Sequence, residues 1–151
     1  MKIRKATIHE ADLVSDLCFR SKAHWGYSEE FMEACRDDLT ITANYIETSL
    51  VYVIEEDGGI KGFMGLERRE DHILLGYLFI DPNAIGKGYG KAMWEHMTQV
   101  VKSLNMRTVL IHSDPYAEEF YLARGAVRIG EIESTVIPDR KLPLLRFERR
   151  G

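Results

Sequence analysis

The stretch Leu78-Phe79-Ile80-Asp81-Pro82-Asn83-Ala84-Ile85-Gly86-Lys87-Gly88-Tyr89-Gly90-Lys91 decides how this chain folds. Its first residues end an apolar, β-favouring run, Ile73 to Ile80, which Asp81 and Pro82 close. Its last residues open a segment in which Met93, Met97, Val100, Val101 and Leu104 recur at helical spacing. Glycines between a buried strand and an amphipathic helix let successive backbone N–H groups converge with no Cβ in the way. The helix N-terminus adds about half a positive charge, and Lys87 and Lys91 add whole ones. Together they suit a phosphate or pyrophosphate. The plain alternative is a strand–helix connection with solvated lysines.

Two common nucleotide turns fit poorly. A Walker loop ends in Gly-Lys-Ser/Thr, and here Gly90-Lys91 is followed by Ala92, so the Mg²⁺-binding hydroxyl is missing. A dinucleotide fingerprint follows the first strand of a βαβ unit, whereas this turn comes late and has GxGxG spacing.

Working outward, Lys2 to Ala6 reads as a first strand, and Thr7 with Glu10 reads as a capping box before a helix carrying Val14, Leu17 and Cys18. Ser28 opens a second helix with Phe31, Met32 and Cys35, and Thr42 starts a short helical turn through Tyr45 and Ile46. Leu50 to Ile54 and Ile60 to Leu66 are partner strands around the turn Asp57-Gly58-Gly59, and a reversal at Glu70-Asp71 leads into Ile73 to Ile80. After the long helix come a short strand, Thr108 to His112, and a helix that Asp114-Pro115 starts and Gly125 ends. Two closing strands follow, Ala126 to Glu133 and Leu144 to Glu148, joined by the loop Ser134 to Pro143. This is a mixed α/β (α+β) domain around one twisted sheet. No repeat or linker divides it, so one domain is expected over residues 1–151.

Lys plus Arg is 20 and Asp plus Glu is 24, so the net charge is −4. That balance gives no support for a nucleic-acid or anionic-membrane surface. The N-terminus is charged from its first residues, and no apolar run approaches the roughly 20 residues of a membrane span, so a cytoplasmic protein is expected. Cys18 and Cys35 read as reduced thiols on helix stripes, and the five histidines show no HExxH-like pair, so no metal is expected.

The segment Leu78–Pro82 followed by Gly86-Lys87-Gly88-Tyr89-Gly90 resembles the central motif of the GNAT superfamily of N-acyltransferases: a strand ending in Pro, then Arg/Gln-x-x-Gly-x-Gly/Ala opening a helix. Gly88 and Gly90 match its small positions, and Ile85 stands where Arg or Gln is usual. Asp114-Pro115-Tyr116-Ala117-Glu118-Glu119-Phe120-Tyr121, then Gly125-Ala126, resembles the family's Asn-x-x-Ala-x-x-Phe-Tyr-x-x-x-Gly-Phe helix, with Asp114 for the usual Asn and Ala126 for Phe. The two motifs occur in the family's order.

The resemblance implies a largely antiparallel sheet in which Leu75–Ile80 and Thr108–His112 splay apart in parallel, flanked by helices. It implies an N-acetyltransferase that moves the acetyl group of acetyl-CoA to a primary amine by direct attack in a ternary complex. Backbone at Leu78, Phe79 and Ile80 would pair with pantetheine, and amides of Gly86, Lys87, Gly88, Tyr89, Gly90 and Lys91 would hold the pyrophosphate. Asp114, Ala117 and Tyr121 complete the cofactor side. Such chemistry needs a proton acceptor, an oxyanion donor and an acid for the departing thiolate. Tyr121 takes the last role, against the reading that it is a packed aromatic. A backbone N–H near Phe79 or Ile80 is the oxyanion donor. Glu67 is the base, with His112 as rival and a solvated carboxylate beside Arg68 and Arg69 as the plain alternative. His24, Trp25 and Tyr27 frame the acceptor, or else cap the core. Arg140 and Lys141 on the loop after Ser134 would favour an acceptor bearing a carboxylate or phosphate. The partner is a small-molecule or peptide amine, and the resemblance allows a homodimer. The rival class is a non-catalytic acyl-CoA-binding sensor or partner-binding module of the same fold.

Overall fold

The computed structural model of the chain describes residues 1–150. β1 (Lys2–Lys5) is followed by α1 (Ala11–Ala23), α2 (Glu29–Cys35) and α3 (Ala43–Thr48). A meander of β2 (Leu50–Glu56), β3 (Gly59–Arg68) and β4 (Ile73–Ile80) leads into α4 (Tyr89–Ser103). Then come β5 (Thr108–His112), α5 (Glu118–Ala123), β6 (Val127–Glu133) and β7 (Lys141–Glu148).

The short helices start where polar caps satisfy their free N–H groups. Ser28 Oγ accepts from the Phe31 N–H at 3.1 Å and Thr42 Oγ1 from the Tyr45 N–H at 3.0 Å. Glu10 accepts from the Thr7 N–H at 2.8 Å, closing a 3-10 turn that runs into α1. Asp57 and Gly58 take φ of 55° and 77°, the left-handed pair a tight hairpin needs.

The strands of the described residues form one seven-stranded sheet in the order β1-β2-β3-β4-β5-β7-β6. All neighbours run antiparallel except β4 and β5, which pair in parallel over only Ile73–Leu75 and Val109–Ile111. One expectation is corrected. The last strand begins at Lys141, so Lys141, Leu142 and Pro143 belong to β7 and not to the preceding loop. Proline argues against a strand because it lacks an N–H. Its carbonyl still serves the ladder, and that of Pro143 accepts from the Ser113 N–H at 2.9 Å.

Strand alternation splits the core between the two faces of the sheet. Ile54, Met64, Leu66, Ile73 and Leu75 pack under α4 with Met93, Trp94 and Met97. Val51, Val53 and Phe63 pack under α1–α3 with Val14, Leu17 and Met32. On β4 the alternation changes phase. Ile73 and Leu75 join the α4 face, but beyond Gly76 it is Tyr77 and Phe79 that join the other face. The cause is a bulge, because Gly65 faces Tyr77 while Leu66 faces Leu75, leaving Gly76 as the extra residue. The bulge stands where pairing with β5 stops. From Gly76 onward the β5 side of β4 has no strand partner among the described residues.

Candidate active site

The divergence of β4 and β5 opens a cleft of about 660 Å³, lined by residues from both faces of the sheet. Leu78, Phe79 and Ile80 line it along the unpaired edge of β4. At one end stands the Gly-rich turn. Gly86 and Gly88 take φ of 85° and 84°, both border the cleft, and the space that a Cβ would enter is open. Gly88 caps α4, whose first N–H groups have no intrahelical partner. An anion would meet backbone donors and the positive end of the 15-residue helix α4 here.

The glycines of this turn do different jobs. Gly90 lies inside α4, where a Cβ would come within 3.2 Å of the Phe120 ring. It therefore sets the approach of α5 to α4, besides bordering the cleft. Tyr89 and Lys91 also line the cleft, with Tyr89 buried in the core. Lys87 is exposed and is not among the lining residues.

Tyr121 lies on α5, 6% exposed, with its ring 5.9 Å from that of Trp94. It borders the cleft, and among the described residues its hydroxyl has no hydrogen-bond partner. Burial, and then the Asp114 charge, push the phenol well above its ordinary range. The group stays protonated and its donor is free.

Glu67 enters the cleft from β3. Its Oε2 accepts from Tyr45 at 2.9 Å and its Oε1 from Arg69 at 2.8 Å. It is thus not merely a solvated carboxylate, since its side chain is only 21% exposed. His112, at the end of β5, lines the same cleft. Burial lowers its pKa below the ordinary imidazole value, while the Glu67 charge acts the other way.

Trp25 borders the cleft, but His24 and Tyr27 do not. Trp25 stacks on Tyr116 with centroids 5.4 Å apart and planes 4° from parallel. Tyr27 instead stacks on Phe31 at 4.2 Å and joins a charged knot. Its hydroxyl donates to the Asp114 carboxylate at 3.0 Å and accepts from Arg140 at 2.9 Å. Lys22 Nζ lies 3.4 Å and Arg140 Nη2 3.7 Å from the same carboxylate. Asp114 Oδ1 also accepts from the Tyr116 N–H at 2.9 Å. Asp114 and Ala117 both border the cleft, and the carboxylate of Asp114 is committed to the knot. So is Arg140, which leaves the expected carboxylate-binding role without its main cation. Lys141 is exposed on β7, opposite Glu133.

The sequence reading missed Lys22, Tyr45, Gly76 and Tyr116. Tyr116 lies within the Asp114–Tyr121 motif at a position with no assigned role, and the others belong to no motif; only the packing of distant elements brings Lys22 and Gly76 to the cleft and Tyr45 to Glu67. Cys18 and Cys35 are buried and burial raises both thiols, which argues against a nucleophilic role for either. Among the described residues no three His, Cys, Asp or Glu side chains gather as a metal site, and no helix is long and apolar enough to cross a membrane.

Residues 14–135 match the family model described as an acetyltransferase (GNAT) domain. The chain belongs to the GNAT family of acetyl-CoA-dependent N-acetyltransferases. It is 29% identical over 124 residues to the peptidyl-lysine N-acetyltransferase YiaC of Escherichia coli K12, covering 82% of this chain and 81% of that one. A solved GCN5-related N-acetyltransferase from Rhodopseudomonas palustris superposes with a TM-score of 0.84 at 19% identity, over 98% of this chain and 95% of that one. The PaiA N-acetyltransferase of Thermoplasma acidophilum, solved with coenzyme A, gives 0.82 at 17% identity, over 98% of both chains. At such identities these two likenesses show the fold.

Proposed function

We propose that the protein transfers the acetyl group of acetyl-CoA to a primary amine by direct attack within a ternary complex. The observation that carries this reading is the single cleft at the β4–β5 divergence. It joins an anion-binding turn and a free phenol on the α4–α5 side to an oriented carboxylate on the α1–α3 side. Acetyl-CoA would lay its pyrophosphate on the turn from Gly86 to Lys91 and its pantetheine arm along Leu78–Ile80, where β4 has no partner.

Glu67 takes the proton of the acceptor ammonium, and the freed lone pair attacks the thioester carbonyl. A C–N bond forms, and the carbonyl π pair moves onto oxygen, facing a backbone N–H near Phe79 or Ile80. As the oxyanion collapses, the C–S bond breaks with its electrons leaving on sulfur, and the nitrogen releases its second proton to solvent to give the neutral amide. Tyr121, held protonated by its burial, meets that sulfur as a hydrogen-bond donor. Asp38 and Glu133 border the cleft without an ion pair among the described residues, whereas Lys22 is tied to Asp114. This charge pattern supports a cationic amine, and the YiaC relative's name points to a peptidyl lysine.

The test is a thermal melt against acetyl-CoA, with ATP and NAD as controls. A ligand at one hundred times its dissociation constant adds about 2.7 kcal/mol, which shifts the midpoint by several degrees. A selective rise followed by CoA release with an amine supports the reading. An equal rise with ATP, or none, overturns the cofactor assignment.

A further inference from the structure

We propose that Tyr45 is a positioning residue for acetyl transfer: reaching from α3 through a notch made by two glycines, it holds the Glu67 carboxylate on the cleft side. The inference rests on the reading of Glu67 as proton acceptor.

The notch is visible in what glycine leaves out. A Cβ on Gly65 would sit 2.6 Å from the Tyr45 hydroxyl. A Cβ on Gly76 would sit 3.1 Å from the same hydroxyl and 3.3 Å from the Glu67 carboxyl carbon. Neither glycine takes a positive φ, so no turn demands it. The two positions, on neighbouring strands, vacate the volume that the phenol and the carboxylate fill. Tyr45 is itself fixed by the Thr42 cap and by the Tyr77 ring, edge-on at 5.3 Å. The Tyr77 hydroxyl is anchored in turn on the Asp38 carbonyl at 3.0 Å.

The grip on Glu67 has two unequal sides. Arg69 takes one oxygen from a side chain 47% exposed, so it pulls toward solvent. Tyr45 takes the other from a half-buried site beside the bulge. Burial, and then the Glu67 charge, push the Tyr45 phenol above its ordinary range, so it remains a donor. With that bond gone, the carboxylate is free to follow Arg69 out of the cleft, away from the acceptor and from His112.

Two measurements on the intact protein test this. The first is CoA release with four probes, a lysine peptide, a peptide with a free N-terminus, spermidine and kanamycin, taking whichever wild type acetylates fastest. Tyr45→Phe, which keeps the ring, should lower kcat about tenfold while KM for acetyl-CoA stays put. The Tyr45→Phe/Glu67→Gln double variant should be no slower than Glu67→Gln alone, because the hydroxyl acts only through that carboxylate. The second needs no acceptor: NMR titration of His112. Glu67→Gln should lower the His112 pKa by removing a favourable charge, and Tyr45→Phe should move it the same way. Wild-type kcat and His112 pKa in Tyr45→Phe, or losses that multiply in the double variant, would overturn the positioning role. Wild-type kcat in Glu67→Gln would instead overturn the base assignment, and this inference with it.

Discussion

On the α4–α5 face the cleft is built from the backbone of one turn with a single phenol added from α5, whereas on the α1–α3 face its polar groups are held by side chains that arrive from five separate segments. The first face needs two left-handed glycines, the start of α4 and one phenol on α5. The second needs Lys22 and Trp25 from the end of α1 and the loop after it, Tyr45 from α3, Glu67 from β3, Asp114 after β5 and Arg140 before β7. Backbone donors serve any ligand with the same pyrophosphate, so a short local motif suffices. Acceptor choice depends on side-chain charge and shape, and these can be changed one residue at a time without disturbing the turn.

Substitutions can break or sharpen this division. The largest effects are expected at the two groups proposed as base and acid. Glu67→Gln on one face and Tyr121→Phe on the other should each lower kcat by roughly a hundredfold or more. Both should keep the melting response to acetyl-CoA. Loss of that response in Glu67→Gln would mean that the two faces are not separate, and unchanged turnover in Tyr121→Phe would remove its role as acid.

Next comes Gly88→Val. A β-branched residue at φ of 84° is strained, by about 1–2 kcal/mol for an L residue in that region, and its side chain enters the open front of the anion turn. Acetyl-CoA affinity should fall at least about tenfold, with acceptor KM little changed. An equal loss for both substrates would deny the turn its selective task.

Asp114→Asn keeps the acceptor for the Tyr116 N–H but removes the charge that gathers Lys22 and Arg140. The pairs are partly exposed, so stability should drop by about 1 kcal/mol at most, a few degrees of Tm at this size. Acceptor KM is expected to rise by more than KM for acetyl-CoA. The reverse order would assign Asp114 to the cofactor rather than to the acceptor loop.

The smallest effect concerns pH and lies outside the cleft. His96 Nε2 is buried without a partner, beside the Tyr52 ring at 4.5 Å, and burial lowers its pKa. Below the ordinary imidazole value of about 6.5 the unfolded chain takes up a proton that the folded chain resists. Stability is therefore full above that pH and declines as pH falls toward the folded value. His112 contributes with the same sign. His96→Leu should reduce the loss of Tm between pH 7.5 and 5.5 by ~1–2 °C, leaving the His112 part. An unchanged slope would show that His96 titrates normally.

Much of the fold was legible because its signals are local. The caps at Ser28 and Thr42, the Asp57-Gly58 turn and the helix after Gly88 all stand where their residues imply. The start of β7 was not, since Pro143 reads as a strand breaker until a neighbour is seen to use its carbonyl. The bulge at Gly76 was hidden for a similar reason. A glycine inside an apolar strand hints at a bulge, but only the register between β3 and β4 shows that it is extra.

By itself the sequence determined the order of elements, the family and the donor turn, because periodicity, capping and positive φ act over a few residues. Tertiary structure alone decided that the Asp114 carboxylate binds two cations and a phenol. It alone decided that Arg140 is thereby tied to Asp114 and Tyr27, and that Tyr45 reaches Glu67 across 22 residues of chain. Those outcomes depend on distances between side chains on different elements. Such distances exist only once the sheet has twisted, bulged and parted.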